Sequence, residues 1–262
     1  MSAVHYPDFF RRPAGPFTAA VLAGAKQWAA DFPTVEVCGL VRDGAFVPCE
    51  NVAAHPEREF EIPTAELAEA YGAGDLQGVI HSHPGGPWWP SKADTASQIE
   101  MDVPWAILVP GEGSAALACH WGLPRPPLFH DGQHVPRDFI HYASDCYALL
   151  QDYYGALGWK LQDMPRCWEW WKDPDQHGSL YLDNLESQGF EVVTTDPSEI
   201  PALVQPHDAY LLAIRSKVPN HGGVYLGDGL VLEHLHGRLS SRQPLARIQK
   251  HITHLVRWKG LL

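Results

Sequence analysis

No stretch of about 18 consecutive apolar residues occurs in this chain, so nothing in it reads as a membrane span. Met1 to Phe10 lacks the apolar run of a secretory signal, and the expectation is synthesis and folding in a reducing cytosol. The cysteines (Cys38, Cys49, Cys119, Cys146 and Cys167) are odd in number and include no CxxC pair. That excludes a disulfide framework and a cysteine-based structural zinc knuckle. Positive charge is also short: 19 Lys and Arg face 31 Asp and Glu, and the net charge of −12 argues against a nucleic-acid partner held through its phosphates. Solubility alone accounts for that charge. Internal repeats and low-complexity tracts are absent.

What remains is enough for one large or two small domains: 262 residues, 45% hydrophobic and 19% charged. Of ten tryptophans, five cluster at Trp88-Trp89, Trp168 and Trp170-Trp171, where they suit binding surfaces. Hydrophobic periodicity predicts a helix over 17–30 ending near Pro33 and a strand over 35–41. An Asp43-Gly44 turn leads into Ala45–Val47. A helix over 62–71 follows, with Thr64 as its expected cap, then a strand over 76–83, a short helix over 91–99 and a buried strand over 105–109. This alternation predicts an α/β or mixed-sheet first domain, 1–122. Breakers crowd 123–136, which reads as a linker. Beyond it, helices over 144–154 and 180–188 precede strands over 190–194, 209–214, 221–227 and 230–235, the last two joined by Asp228-Gly229. The second domain, 137–262, therefore reads as α+β with an antiparallel sheet.

Two constellations carry chemistry. In VIHSHPGGPWWPSKAD, His81 and His83 are two positions apart in a strand and project to one face, and Asp94 opens the next helix. Two imidazoles and one carboxylate suit a catalytic Zn2+ with the fourth position left to water. Glu36, a carboxylate inside an apolar strand, is a candidate base, and Ser91 could offer its hydroxyl to an oxyanion. Ser91-Lys92-Ala93-Asp94 equally fits a helix capping box. The segment resembles the JAMM (MPN-type) metallopeptidases over roughly residues 15–120, with Glu36 set in EVCGL as in that family. The resemblance implies zinc held by His81, His83 and Asp94, water activated by Glu36, assistance from Ser91, and hydrolysis of amide or isopeptide bonds.

The second constellation is SDCYALL, which puts Cys146 in the first turn of a helix, where the dipole favours the thiolate. A base must come from elsewhere, and His221 opens the strand NHGGVYLG, whose glycines would leave room for a substrate backbone. A buried, inert cysteine is the alternative. DCYALLQDYY and NHGGVYLGDG resemble the papain-like NlpC-type cysteine peptidases of peptidoglycan stem peptides. That resemblance implies Cys146 as nucleophile, His221 as base and a third polar residue behind the histidine. It also suggests that Asp145 contacts a substrate amine. A two-residue Asp228-Gly229 turn would put His234 on the face of His221, while one bulge would put Glu233 there instead. The reading favours His234, with Glu233 as alternative and His236 as a bystander.

The two domains in this order, together with WEWWKDP, LYLDNLESQGF and HLHGRLSSR, are similar to the two-domain assembly proteins of phage tail tips. This implies partners among other tail tip and hub proteins and peptidoglycan peptides as substrate. It also implies residence in the host cytoplasm during assembly and then in the virion tail tip or a tail-like particle. The zinc domain would trim a tail protein or aid wall cleavage. An alternative is a mainly structural component whose pockets are docking modules. A cellular isopeptidase of the first family would explain only half the chain.

Overall fold

The computed structural model describes residues 9–261; residues 1–8, part of the segment read for a signal, lie outside the described residues. The protein is mixed α/β and divides into two compact units, Asp8–Arg125 and a second built on Pro126–Leu262. Among the described residues no helix is long and apolar enough to cross a membrane.

The first unit runs α1 (Ala19–Asp31), β1 (Cys38–Arg42), β2 (Ala45–Cys49), α2 (Thr64–Ala73), β3 (Leu76–Ser82), α3 (Lys92–Met101), β4 (Trp105–Gly111) and β5 (Ser114–Trp121). Its sheet has the order β2-β1-β3-β4-β5, antiparallel throughout except for the β3–β4 pair, which α3 connects. Thr18 caps α1 by accepting from the Val21 N–H, and the apolar face of α1 (Phe17 just before it, then Val21, Leu22, Ala25 and Ala29) packs on Val41, Ile80, Ala106 and Leu108. Two expectations change here. Thr64 is the first residue inside α2 and not its cap, because Pro63, with φ −52°, takes that position without a side-chain bond. The strand expected over 35–41 starts only at Cys38, so Glu36 precedes it.

The second unit begins earlier than the expected domain. Within 123–136, read as linker, a short hairpin pairs β6 (Phe129–His130) with β7 (Gln133–His134), and Leu128 and Val135 are buried. There follow α4 (Cys146–Ala156), β8 (Phe190–Thr194), β9 (Ala209–Leu212), β10 (His221–Gly227), β11 (Leu230–Glu233), β12 (Ser241–Pro244) and β13 (Ile252–Trp258). They form an antiparallel sheet of order β12-β11-β10-β9-β13-β8. Leu149, Leu150, Tyr153 and Tyr154 of α4 pack on one side of it with Leu211, Val224, Leu232 and Val256. Tyr210, Leu212, Val231, Ile252 and Leu255 form the core of the other side.

The helix expected over 180–188 is only a 3₁₀ turn at Leu182–Asn184. Polar side chains take its backbone groups: Asp183 Oδ2 accepts from Ser179 N–H at 2.7 Å, and Asn184 Nδ2 donates to Leu180 O at 2.8 Å. The strand β13 escaped the sequence reading because irregularities within it, at Ile252/His254 and Leu255/Val256, break the two-residue alternation.

Gly222 and Gly223, read as room for substrate, are instead filled from within the fold. A Cβ at Gly222 would lie 3.1 Å from Leu150 Cδ1 and 3.3 Å from Tyr181 Oη; one at Gly223 would collide with Tyr210 Oη and lie 2.6 Å from Leu232 O. Because backbone cannot yield, Gly223→Ala is expected to lower stability by about 1–3 kcal/mol, measured by denaturant unfolding.

Candidate functional site

In the first unit, the register of the sheet assembles the site. Cys38 on β1 faces His81 on β3, so Glu36, two residues earlier, falls on the same side as His81 and His83. The chain there is tied to β3: Ser82 N–H donates to Val37 O at 2.9 Å, and Val37 N–H donates to Ser82 Oγ at 3.0 Å. Asp94 enters from α3, whose start is a complete capping box. Ser91 Oγ accepts from Asp94 N–H at 3.1 Å and Asp94 Oδ2 accepts from Ser91 N–H at 2.7 Å. Both sequence readings of Ser91 are thus compatible, since the serine hydroxyl accepts at the cap and keeps its own proton to donate.

The ligand atoms converge. His81 Nε2 and His83 Nε2 are 3.0 Å apart, and they lie 3.4 and 3.5 Å from the two Asp94 oxygens. His83 Nδ1 donates to Pro87 O at 2.9 Å, which fixes the tautomer and turns an Nε2 lone pair to the cluster. Phe60 stacks on His81 with ring centres 4.5 Å apart. Two buried imidazoles presenting their nitrogens to each other beside a carboxylate is a donor set that fits a metal cation, and these three residues form a group able to hold one. Burial pushes Asp94 up but the two histidines outweigh it, holding the carboxyl well below its usual range. His81 is lowered by burial; His83 is raised, Asp94 overcoming burial. Glu36, pushed up to about 7 chiefly by burial, borders a cleft of about 690 Å³ with His83, Ser91 and Asp94.

In the second unit, Cys146 is the first residue of α4 and Asp145 its N-cap. Asp145 was expected to meet a substrate amine, but each of its oxygens already accepts at least two hydrogen bonds: Oδ1 from Ala148 N–H and Arg166, Oδ2 from Tyr142 N–H and Arg166. Its carboxyl is accordingly held far below the usual range: burial opposes ionisation, and Arg166 then His141 overcome it. Arg166 itself is buried, with its guanidinium 4.4 Å from the centre of the Tyr142 ring.

His221 opens β10. The ladder pairs Gly227 with Leu230 across the Asp228-Gly229 turn, as expected, but a bulge between Tyr225 and Gly227 shifts the register and pairs Gly223 with Glu233. Glu233, and not the favoured His234, therefore shares the face of His221, with Oε2 3.5 Å from His221 Nε2. Glu233 is oriented by Gln243 Nε2, which donates to Oε1 at 2.5 Å, and by the Tyr210 hydroxyl, which donates to Oε2 at 3.3 Å. His234 lies beyond the end of β11, packed edge-on against Phe139 at 5.2 Å and lowered to about 4 by burial. His236 is exposed and lies against Trp168 at 4.6 Å.

Burial opposes the imidazolium of His221, but hydrogen bonding to Cys146 and Glu233 wins and raises it to about 9. Cys146 and His221 border a cleft of about 780 Å³ whose walls include Trp168, Trp170, Trp171 and Tyr181. The sequence reading missed Arg166, Tyr181, Tyr210 and Gln243, which carry no local motif. Only the tyrosine-sized gaps implied by Gly222-Gly223 hinted at two of them.

Fold and sites together define a two-unit α/β protein with a group able to hold a metal in one unit and a cysteine–histidine pair in the other. No protein-family model matches the chain. It is 34% identical over 190 residues to tail tip assembly protein K of Escherichia phage lambda, covering 71% of this chain and 82% of that protein. It is 29% identical over 250 residues to tail tip assembly protein K of Escherichia phage N15, covering 92% and 94% respectively. The chain belongs to the tail tip assembly protein K family.

Removing the charge behind His221 provides a check on this geometry. Glu233→Gln should move the His221 titration down from about 9 toward its ordinary 6.5, followed by NMR of the ring protons. The sign for stability follows from the raised value. The imidazolium contributes fully below pH 6.5 and its contribution is lost as pH rises through about 9, a decline that Glu233→Gln should flatten.

Proposed function

We propose that this protein is a phage tail tip component carrying two hydrolases: a papain-like, NlpC-type cysteine peptidase acting on peptidoglycan stem peptides, and a JAMM-type zinc amide or isopeptide hydrolase. The observation that carries the reading is the aligned set Cys146, His221 and Glu233 at an aromatic-walled cleft. The relatives' names support the tail tip setting and partners among other tail proteins.

At the second site, the His221 imidazolium pairs with the Cys146 thiolate, and the first turn of α4 adds its positive dipole end. The thiolate attacks the peptide carbonyl, His221 gives its proton to the leaving amine, and it then takes one from the water that releases the acyl group. Glu233 keeps the ring turned and its charge compensated, a role supported by its two fixed donors.

At the first site, His81, His83 and Asp94 would hold zinc, which supplies Lewis-acid polarisation and a water acidic enough to ionise near neutral pH. Glu36, poised near 7, can take a proton at its carboxylate and return it to a leaving amine. Ser91 borders the cleft, and its hydroxyl, which accepts from the Asp94 N–H, keeps a proton to donate to an oxyanion there. The two histidines and the aspartate are shielded from bulk water by burial.

One fact favours a second reading: the relatives' names speak of assembly alone, which suits two units acting as docking modules. Purified peptidoglycan separates the two. Cys146→Ala should reduce release of stem peptides at least about 10³-fold in a zymogram or turbidity assay. Wild-type protein without lysis, alongside failed tail assembly on deletion, would establish the docking reading instead. Metal analysis tests the other unit. Protein purified without chelator should carry zinc and melt at a lower temperature once stripped of it, and His83→Ala should lose the metal while retaining lysis by the second unit.

A further inference from the structure

Behind Cys146 stands a hydroxyl that the reaction as described so far does not use. Tyr181 is buried, its ring packed in the core beside Tyr147 and Trp170, yet it borders the second cleft and its Oη lies 3.2 Å from Cys146 Sγ. The space it occupies is reserved by Gly222, where a Cβ would stand 3.3 Å from that oxygen. Burial, reinforced by the neighbouring thiolate, holds the phenol well above its ordinary range, so it stays protonated and acts as a donor toward sulfur. A buried hydroxyl is unfavourable unless bonded, and the Cys146 sulfur is its partner.

Resting on the peptidase reading, we propose that Tyr181 is a catalytic residue of the Cys146 site, its hydroxyl moving from the thiolate to the oxyanion of the tetrahedral intermediate. In the first step a sulfur lone pair forms the S–C bond while the C=O π pair moves onto oxygen. That oxygen is bonded to the carbon that sulfur has just joined, within reach of the same hydroxyl. The hydrogen bond shifts from sulfur to oxygen and the proton remains on Tyr181. When the oxygen pair re-forms C=O, the C–N bond breaks and the amine leaves with the proton from His221. The companion donor is the Cys146 N–H, which sits in the first turn of α4 without an intrahelical acceptor. The two donors thus bracket the carbonyl oxygen: one from the helix start, one from the Leu180–Leu182 segment that the sequence pattern had assigned to a helix.

Tyr181→Phe removes one oxygen and keeps the ring. The expected result is a fall in kcat of about 10²–10³-fold on soluble stem peptides with KM little changed. The rate profile for alkylation of Cys146 by iodoacetamide should also depart from that of the wild type, because the sulfur loses a donor. A packing role alone would move neither the kcat-against-KM split nor the alkylation profile. Gly222→Ala, which displaces the hydroxyl while leaving the phenol present, should reproduce both effects and serves if Tyr181→Phe fails to fold. Wild-type kcat and alkylation profile in both variants would overturn the proposal alone. A wild-type protein that hydrolyses no stem peptide would overturn the peptidase reading and this proposal with it.

Discussion

A carboxylate withdrawn from water needs donors or positive charge around it, and both functional segments of this chain are held by one that has them. Asp94 sits in the first turn of α3 and Asp145 caps α4. Each closes the start of its helix with backbone N–H groups and faces basic side chains: two imidazoles for Asp94, the Arg166 guanidinium for Asp145. Breaking such a buried pair by removing one partner costs about 3–5 kcal/mol, because the other charge is stranded. The helix starts are therefore rigid points, and the His81, His83 and Asp94 group and Cys146 are placed from them.

The second unit extends this logic to the strand opposite. Tyr210 and Tyr181 thread their hydroxyls past Gly223 and Gly222, one to Glu233 and the other to Cys146. Side chains at either glycine would push these oxygens away. The pair of glycines thus helps to position the Glu233 and Cys146 groups without touching them. The bulge in β10 completes the arrangement by turning Glu233, held by Gln243, toward His221.

Much of the fold was legible because its signals are local. The strand ending in His81-Ser82, the capping serine of α3, the start of α4, and the hairpins at Asp43-Gly44 and Asp228-Gly229 all stand close to where residue pattern and turn chemistry put them. Thr64, the 180–188 segment and β13 were misread or missed. There a proline, competing side-chain hydrogen bonds and irregularities within the strand overrode the periodicity. The 123–136 stretch looked like a linker because breakers dominate it, yet Leu128 and Val135 supply enough apolar surface to be drawn into the second unit.

By itself the sequence determined the types of residue available for chemistry and the faces of the elements that bear them, since strand and helix periods are properties of the local backbone: His81 and His83 together, Asp94 at a helix start, Cys146 in a first turn. Tertiary structure decided what those residues meet. One bulged residue chose Glu233 over His234, because a shift of one position reverses the face of every side chain beyond it. Arg166 claimed Asp145, which left it no lone pair for a substrate amine. Tyr181 was brought to Cys146 by a loop whose course depends on side-chain hydrogen bonds. Contacts of this kind join residues far apart in the chain, and no local pattern of residues encodes them.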